Sequence, residues 1–311
     1  MGSIPTAPTN HPICSELFLP ALLFEGSLKI EFRHVTRDLV PLLLLAILGV
    51  LISTVVLGLV VYYLVGMTLL VALLLGSMVS ATDPISVLSI FKELAVDERL
   101  SVLVEAESLL NDGTAVVLFQ ILLASAVGGG VSLASGIGQF LLSMIGGALV
   151  GLALGYLVSK LTKRIDDAQI EITFTTILAY GTFLLARHLH LSGVIATVAA
   201  GLVVGNVAVK TGMSLRTLTA LRSFWEYASF IINSLVFLLI GLEVRIGGVL
   251  HAWKPVLIAI AAIFLGRILS VYTLVPFGNL FSKRIPFAWQ HVMVWAGLRG
   301  ALSLAFSAES R

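Results

Sequence analysis

Charged residues are scarce in this chain. Only 12% of its 311 residues are Asp, Glu, Lys or Arg, while 58% are hydrophobic. A soluble domain of this length could not cover so much apolar surface, so the composition excludes a water-soluble globular protein. Cysteine is nearly absent as well, because Cys14 stands alone, and this excludes an intrachain disulfide and a metal site made of several cysteines. The basic residues form no stripe suited to nucleic acid, so no nucleic-acid partner is expected.

Long apolar runs recur along nearly the whole sequence. Runs of about 18 or more apolar residues are long enough to cross a bilayer as helices. Ten such spans are predicted, at roughly residues 13–30, 39–65, 68–91, 101–127, 133–159, 171–187, 190–209, 226–244, 255–281 and 288–308. We therefore expect an all-α, polytopic membrane protein with about ten transmembrane helices. Its expected location is the cell (inner) membrane, and residues 1–12 are expected to form a polar tail before the first helix.

The distribution of the 19 Lys and Arg residues tests this segmentation. Cytoplasmic connections of membrane proteins are enriched in these two residue types. Most of them fall in alternate connections, namely Lys29, Arg33, Arg37, Lys92, Arg99, Lys160, Lys163, Arg164, Lys210, Arg216, Arg222, Lys283 and Arg284. The opposite connections hold only Arg187, Arg245 and Lys254. The first set is therefore predicted to face the cytoplasm, which orients every span.

Four polar residues lie close together in the span predicted at 101–127, and they are Glu107, Ser108, Asn111 and Asp112. A charge at the bilayer centre is costly, so such residues are rare unless they face a pathway or a partner. On a helix, Ser108 and Asp112 share a face, whereas Glu107 points about 140° away from Asp112. The two acids are therefore expected to have different neighbours and different roles.

A proline interrupts the preceding span, in the stretch Thr82-Asp83-Pro84. Proline lacks a backbone donor and clashes with the preceding turn, so a break is predicted here. A break at membrane depth is tolerated only where its free backbone groups line a cavity or are buried in protein. Broken helices near the bilayer midplane are typical of ion sites in secondary transporters.

Two arginines and one further acid also lie inside apolar spans. Arg267 and Arg299 are each near the centre of a span. Arginine stays protonated in proteins, so each must find an anion or a group of carbonyl dipoles. Gly297 and Gly300 flank Arg299 and predict a second break. Glu25 is a further acid in the middle of the first span.

Three stretches of this sequence together resemble a known family, the sodium/proton exchangers of the monovalent cation:proton antiporter superfamily, in the electroneutral Asn-Asp branch. They are, in order, Ala81-Thr82-Asp83-Pro84, Glu107-Ser108-Leu109-Leu110-Asn111-Asp112-Gly113 and Gly297-Leu298-Arg299-Gly300-Ala301. The resemblance covers essentially the whole chain. It implies an inverted-repeat antiporter fold of thirteen helices with two broken crossing helices, and a homodimer. Two leading helices and the last helix of that fold are expected to lie outside this sequence.

The resemblance implies an ion site centred on Asp112. This carboxylate would bind the transported cation or a proton. Thr82, Asp83 and Ser108 would lie around the ion, and Asn111 would support the site.

The resemblance also implies roles for the other charged residues of the spans. Glu107 would form a structural ion pair with Arg267. Arg299 would compensate the dipoles of the second broken helix, and Glu25 would be an acid of the inner funnel. Glu105, nearer a membrane face, is expected to be a solvated edge residue.

The resemblance further divides the transporter domain, residues 13–308. Core helices are expected at roughly 39–127 and 255–308. Interface or dimerisation helices are expected at 13–30 and 171–244. The helix at 133–159 is expected to link the two groups.

The expected function is secondary active antiport of Na⁺, or another monovalent cation, against H⁺. A single carboxylate that alternately binds ion and proton would make the exchange electroneutral. No enzymatic activity and no cofactor are expected, and the only metal ion would be the transported Na⁺. K⁺/H⁺ exchange stays open as an alternative, because oxygen ligands alone do not fix ion size.

Two alternatives from other classes are an intramembrane aspartyl protease and a non-transporting membrane scaffold or sensor. Two Asp residues on adjacent spans could form an acid dyad. However, neither acid lies in a Gly-x-Gly-Asp stretch, and a dyad needs neither Asn111 nor the arginines. Cation-dependent proton flux would separate the three classes.

Glycines recur at a four-residue spacing in two spans. They are Gly147, Gly151 and Gly155 in one span and Gly201 and Gly205 in another. Small residues at this spacing let helix backbones approach closely. Close packing within the chain is the simpler interpretation, and a dimer contact is the alternative.

Overall fold

The structure is a computed structural model that describes residues 11–128, 133–163, 165, 167–208, 214–243 and 253–297. Within these ranges every regular element is helical, which confirms the predicted all-α class. The helices, in chain order, are α1 (His11–Lys29), α2 (Phe32–Arg37), α3 (Leu39–Val65), α4 (Leu69–Ser80), α5 (Ile85–Glu93), α6 (Glu98–Gly128), α7 (Leu133–Thr162), α8 (Ala168–His188), α9 (Gly193–Val203), α10 (Leu215–Glu243), α11 (Trp253–Gly278) and α12 (Phe287–Trp295).

Five of these helices, α3, α6, α7, α8 and α11, are long and apolar enough to cross a membrane. The shorter helix α4 is also apolar, as is α9 together with the π-helical turn that follows it. A helix needs about 20 residues to span the hydrocarbon core, so the shorter ones reach only part of the way or tilt little. The number of ten spans stays a prediction.

The break predicted at Pro84 is present. Helix α4 ends at Ser80, Ala81 has extended backbone angles (φ −60°, ψ 140°), and α5 begins at Ile85. The residue before a proline avoids helical angles, and the proline itself cannot donate to the preceding turn. The span therefore consists of two half-helices joined by four non-helical residues, 81–84.

Helix α10 begins at Leu215, well before the start predicted at residue 226. Arg216 and Arg222 interrupt the apolar run in the sequence, but both lie on the exposed side of the helix. Leu221 and Trp225 lie on the other side and are fully buried. The helix is amphipathic here, and a search for uninterrupted apolar residues misses amphipathic turns.

The helices pack in two groups, with α6 between them. One group contains α3, α4, α11 and α12, and the other contains α1, α7, α8, α9 and α10. The largest buried apolar cluster includes Leu103 of α6, Val198 of α9 and Val271 of α11. Helix α6 is therefore the element that both groups share.

The repeated glycines pack helices together within the chain. Gly147, Gly151 and Gly155 of α7 lie against the backbone of α9 and its N-cap residue, while Gly201 of α9 and Gly205 of the π-helical turn that follows lie against α1. None of these positions leaves room for a side chain. Of the two interpretations offered by the sequence, close packing inside one chain is the one that the structure shows.

A buried ion pair between Arg99 and Asp38 holds together one end of the group formed by α3, α4, α11 and α12. The Arg99 guanidinium donates to both carboxylate oxygens of Asp38, at 2.8 and 2.7 Å. It also donates to the carbonyls of Lys283 (2.7 Å) and Arg284 (3.3 Å), and it lies over the ring of Trp289. The starts of α3 and α6 and the connection before α12 are thus held by one side chain.

Candidate ion-binding site

A cavity of about 330 Å³ lies between α1, α10, the α4–α5 break and α6. Four of the residues predicted for the ion site line it: Thr82, Asp83, Ser108 and Asp112. Asp112 is 9% exposed, so its carboxylate is largely removed from solvent yet still borders the cavity. The structure therefore brings together the acids of two different spans that the sequence singled out.

Two side chains of α6 hold the broken segment in place. The Ser108 hydroxyl donates to the Thr82 carbonyl, which the break leaves without its helical partner. The amide nitrogen of Asn111 donates to the Thr82 hydroxyl at 3.2 Å. Both contacts satisfy backbone or side-chain groups that would otherwise be buried without a partner in lipid. Thr82 is thereby held against α6, the helix that carries Asp112.

Asn111 lies behind the break rather than in the cavity lining. It is 2% exposed, and its Oδ1 atom accepts no hydrogen bond from the described residues. Through its hydrogen bond to Thr82, Asn111 can hold that residue in position, although Asn111 itself does not line the cavity. The carboxylates, hydroxyls and backbone carbonyl at the break offer the kind of oxygen atoms that hold Na⁺ or a proton in broken-helix transporters.

Glu107 points away from the cavity and meets Arg267 of α11. The two guanidinium nitrogens of Arg267 donate to the two carboxylate oxygens at 2.5 and 2.6 Å. Both side chains are buried, with 1% of Glu107 and 7% of Arg267 exposed. Arg267 also donates to the Met293 carbonyl at 3.0 and 3.3 Å, so the pair joins α6 to α11 and α12.

One end of the cavity is lined by charged residues of both signs. Glu25 of α1 forms an ion pair with Lys29, which also contacts Glu226 of α10 at 3.3 Å. Lys92 of α5 and Glu105 of α6 line the same cavity. Lys29 and Lys92 belong to the connections predicted to face the cytoplasm, so the predicted topology places this end of the cavity on that side.

Glu105 is a residue whose place the sequence interpretation missed. It was expected at a solvated membrane edge, but it is only partly exposed and lines the cavity with Asp112. Residues seven apart lie on one face of a helix, about two turns from each other. The spacing between Glu105 and Asp112 was the signal that could have found it.

The second predicted break lies at the limit of the described residues. Helix α12 ends at Trp295, and Ala296 caps it. Arg299, predicted to compensate the second broken helix, lies outside the described residues. Gly297 is described and lies close to Arg267, where an added Cβ would come within 3.1 Å of Nε.

Comparison with known proteins identifies the family. Residues 6–309 match the family model described as "Sodium/hydrogen exchanger, transmembrane". The Na(+)/H(+) antiporter NhaH of Halobacillus aidingensis is 42% identical over 295 residues, which cover 94% of this chain and 72% of that protein. The Na(+)/H(+) antiporter ApNhaP of Aphanothece halophytica is also 42% identical, over 94% of this chain and 56% of that protein. The chain thus spans between about half and three quarters of the length of these relatives.

Solved structures show the same fold. The sodium proton antiporter MjNhaP1 from Methanocaldococcus jannaschii at pH 8 superposes with a TM-score of 0.81, over 97% of this chain and 72% of that one, at 21% sequence identity. Neither the sequence match nor the structural match favours a protease or a scaffold. The chain belongs to the sodium/hydrogen exchanger family.

Proposed function

We propose that this protein exchanges Na⁺, or another monovalent cation, for H⁺ across the membrane, with Asp112 as the carboxylate that carries each in turn. Relatives 42% identical to it are named Na(+)/H(+) antiporters. The observation that carries the proposal is the position of Asp112, buried to 9% exposure yet lining a cavity together with Thr82, Asp83 and Ser108. The protein is a multi-pass integral membrane protein, and its relatives support the cell membrane as its location.

Competition at one carboxylate accounts for coupled exchange. Ionised Asp112 binds Na⁺, and protonated Asp112 cannot, so the acid is neutralised in either loaded state. Moving a net charge costs about 2.3 kcal/mol per 100 mV of membrane potential. A one-for-one exchange avoids this cost and is electroneutral. In this scheme the charge of Glu107 is balanced by its ion pair with Arg267, so the pair has a structural role and Glu107 takes no part in the exchange.

The cavity corresponds to a state open to the cytoplasm. Its walls come from α1 and α10 on one side and from the α4–α5 break, α5 and α6 on the other. Secondary transporters of inverted-repeat folds alternate access by moving one bundle against the other around a central site. We propose that α3–α6 with α11 and α12 form the moving core and that α1 and α8–α10 form the interface group. Helix α7 would then be the linker.

The remaining residues act around this site. Asn111 positions Thr82, and the oxygens of Thr82, Asp83 and Ser108 complete the surroundings of the ion. Glu25 attracts cations at the mouth of the funnel. For Arg299, the proposed role is compensation of the second broken helix, and it rests on the resemblance of the sequence alone.

A flux assay on the purified polypeptide tests the proposal. In proteoliposomes with an imposed pH gradient, Asp112→Asn should abolish Na⁺-driven proton movement, because an amide neither ionises nor binds Na⁺ strongly. Asp167→Asn is the matched control, since Asp167 caps α8 outside the cavity and asparagine caps a helix equally well. Retained flux in Asp112→Asn would remove that residue from its role.

The same vesicles decide between the alternatives. Replacing Na⁺ with K⁺ separates the two forms of cation exchange. A rate that follows an imposed membrane potential would contradict electroneutral exchange. Absence of any cation-dependent flux in the unmodified polypeptide, with the fold intact, would favour a scaffold or sensor.

A homodimer is the proposed assembly, supported by the resemblance to dimeric exchangers. The interface would be formed by the group that contains α1, α8, α9 and α10. Counting photobleaching steps of single labelled proteins in liposomes distinguishes one copy from two.

A further inference from the structure

A second cavity, of about 470 Å³, lies between the end of α11 and the start of α12. Its lining includes Tyr272, Asn279, Arg284, Phe287 and Gln290, none of which lines the ion cavity. Its volume falls in the range of about 300–1,000 Å³ that is usual for ligand pockets. Arg284 belongs to a connection predicted to face the cytoplasm, so this cavity lies at the cytoplasmic membrane surface.

The cavity offers positive charge from two sources. Arg284 is exposed, and only its backbone carbonyl is engaged by Arg99. Helix α12 begins beside it at Phe287, and its N-cap residue, Pro286, makes no side-chain capping bond. The first amides of a helix carry partial positive charge and bind anions such as phosphate. An anionic group between Arg284 and the start of α12 would satisfy both.

Gln290 gives a second and independent indication of what this cavity binds. Its side chain is almost completely buried, at 4% exposure, and its amide nitrogen donates to the Ile285 carbonyl at 3.3 Å. Its Oε1 atom receives no hydrogen bond from any residue that the structure describes. A buried acceptor without a partner is unfavourable. A ligand of this cavity should therefore carry a hydrogen-bond donor for Gln290 Oε1 as well as an anionic group.

The surroundings of the cavity are those of a lipid headgroup region. Phe277, Phe281 and Phe287 are all more than half exposed beside it. Leu265 and Leu269 of α11 are also exposed and extend the apolar surface toward the membrane centre. Aromatic residues concentrate at the headgroup level of bilayers, and acyl chains cover apolar helix faces below it.

We propose that this cavity binds the headgroup of a phospholipid from the cytoplasmic leaflet. The phosphate lies between Arg284 and the amides that start α12, and a donor on the headgroup reaches Gln290 Oε1. Phosphatidylethanolamine, through its ammonium, and phosphatidylglycerol, through its hydroxyls, both provide this combination. Phosphatidylcholine does not, because its quaternary nitrogen carries no hydrogen. Basic pockets between helices on the cytoplasmic side are known sites of lipid headgroups.

The bound lipid joins α12 to α11. Helix α12 is the first half of the second predicted broken helix, and α11 carries Arg267. The proposal concerns binding and stability and does not rest on the transport mechanism.

Thermal unfolding in delipidated detergent micelles tests the proposal, with each lipid or inorganic phosphate added separately. Phosphatidylethanolamine and phosphatidylglycerol should raise the unfolding midpoint by several degrees, and phosphatidylcholine and free phosphate should not. Native mass spectrometry of the same samples should show one such lipid retained per chain.

Two variants assign the effect to the cavity. Arg284→Gln keeps the backbone carbonyl that binds Arg99 and should weaken lipid retention about tenfold, as expected for a lost charge-assisted hydrogen bond. Gln290→Met keeps the side-chain volume and should remove the preference for donor-bearing headgroups over phosphatidylcholine. Lys163→Gln removes an exposed cytoplasmic charge away from the cavity and should behave like the unmodified protein.

The proposal is overturned if phosphatidylcholine or free phosphate stabilises as well as the donor-bearing lipids. It is also overturned if Arg284→Gln and Gln290→Met both respond as Lys163→Gln does. Failure of this test leaves the proposed exchange at Asp112 untouched, because no transport is measured.

Discussion

Glu107 and Asp112 lie five residues apart on one helix and have opposite surroundings. Glu107 is 1% exposed and bound on both oxygens by Arg267. Asp112 lines a cavity of about 330 Å³. The cost of an acid in the membrane is offset in the first case by a permanent cation of the protein. In the second case a cavity leaves room for a cation that can leave, and under the proposed function this difference separates a structural acid from a transporting one.

The largest effect on stability is expected when one partner of the ion pair between Glu107 and Arg267 is removed. Glu107→Gln should strand the Arg267 guanidinium in the protein interior and lower the free energy of unfolding by roughly 3–5 kcal/mol. Asp112→Asn should cost little stability, since no ion pair among the described residues involves Asp112. Chemical denaturation in detergent, read by tryptophan fluorescence, measures both variants.

The double variant Glu107→Gln with Arg267→Gln is the control for this prediction. It removes both charges, so it should recover part of the lost stability. Equal destabilisation in the single and double variants would show that the ion pair does not provide the stability assigned to it.

The pH dependence of transport tests the role proposed for Asp112. Protonated Asp112 cannot bind Na⁺, so the apparent KM for Na⁺ should fall as pH rises. Where the protonated form dominates, competition predicts about a tenfold change in KM per pH unit, which corresponds to about 1.4 kcal/mol. Initial rates at several Na⁺ concentrations and equal pH on both sides provide the measurement. A maximal rate that changes while KM stays constant would argue against competition at one carboxylate.

A smaller effect is expected from the contact that holds the broken segment beside Asp112. Ser108→Ala removes the donor to the Thr82 carbonyl and should cost about 0.5–1.5 kcal/mol of stability. It should also raise the KM for Na⁺ by roughly the same free energy, up to about tenfold. Ser125→Ala is the matched control, because Ser125 bonds only within α6 and lies outside the cavity. If both alanine variants behave alike, Ser108 has no special role at the ion.

Local chemistry in the sequence predicted the break and the face of the site. Pro84 has no backbone donor and keeps the residue before it out of helical angles, so a break could be predicted there, and the spacing of Ser108 and Asp112 places them on one face whatever surrounds them. The partner of Glu107 could not be obtained in this way. Periodicity gives the direction in which a side chain points, but not which helix lies there, so Arg267 was named only through the resemblance to a family.

The interpretation was weakest where charge was taken as a marker of topology. The sequence places Arg99 in a connection, but it lies in the first turn of α6 and is buried against Asp38. It also places Arg216 and Arg222 in a connection, but both lie within α10. A count of charges does not distinguish a solvated residue from one that is paired or on the outer face of an amphipathic helix.

The contacts of Arg99 have a mechanical consequence. One guanidinium holds Asp38 before α3 and the carbonyls of Lys283 and Arg284 before α12. Because Arg99 is in the first turn of α6, and α5 ends only a few residues earlier, the end of α5 and the connection before α12 are fastened near one point. Under the proposed exchange, we therefore expect a displacement of α5 to be transmitted to α12, so that the two helices move together.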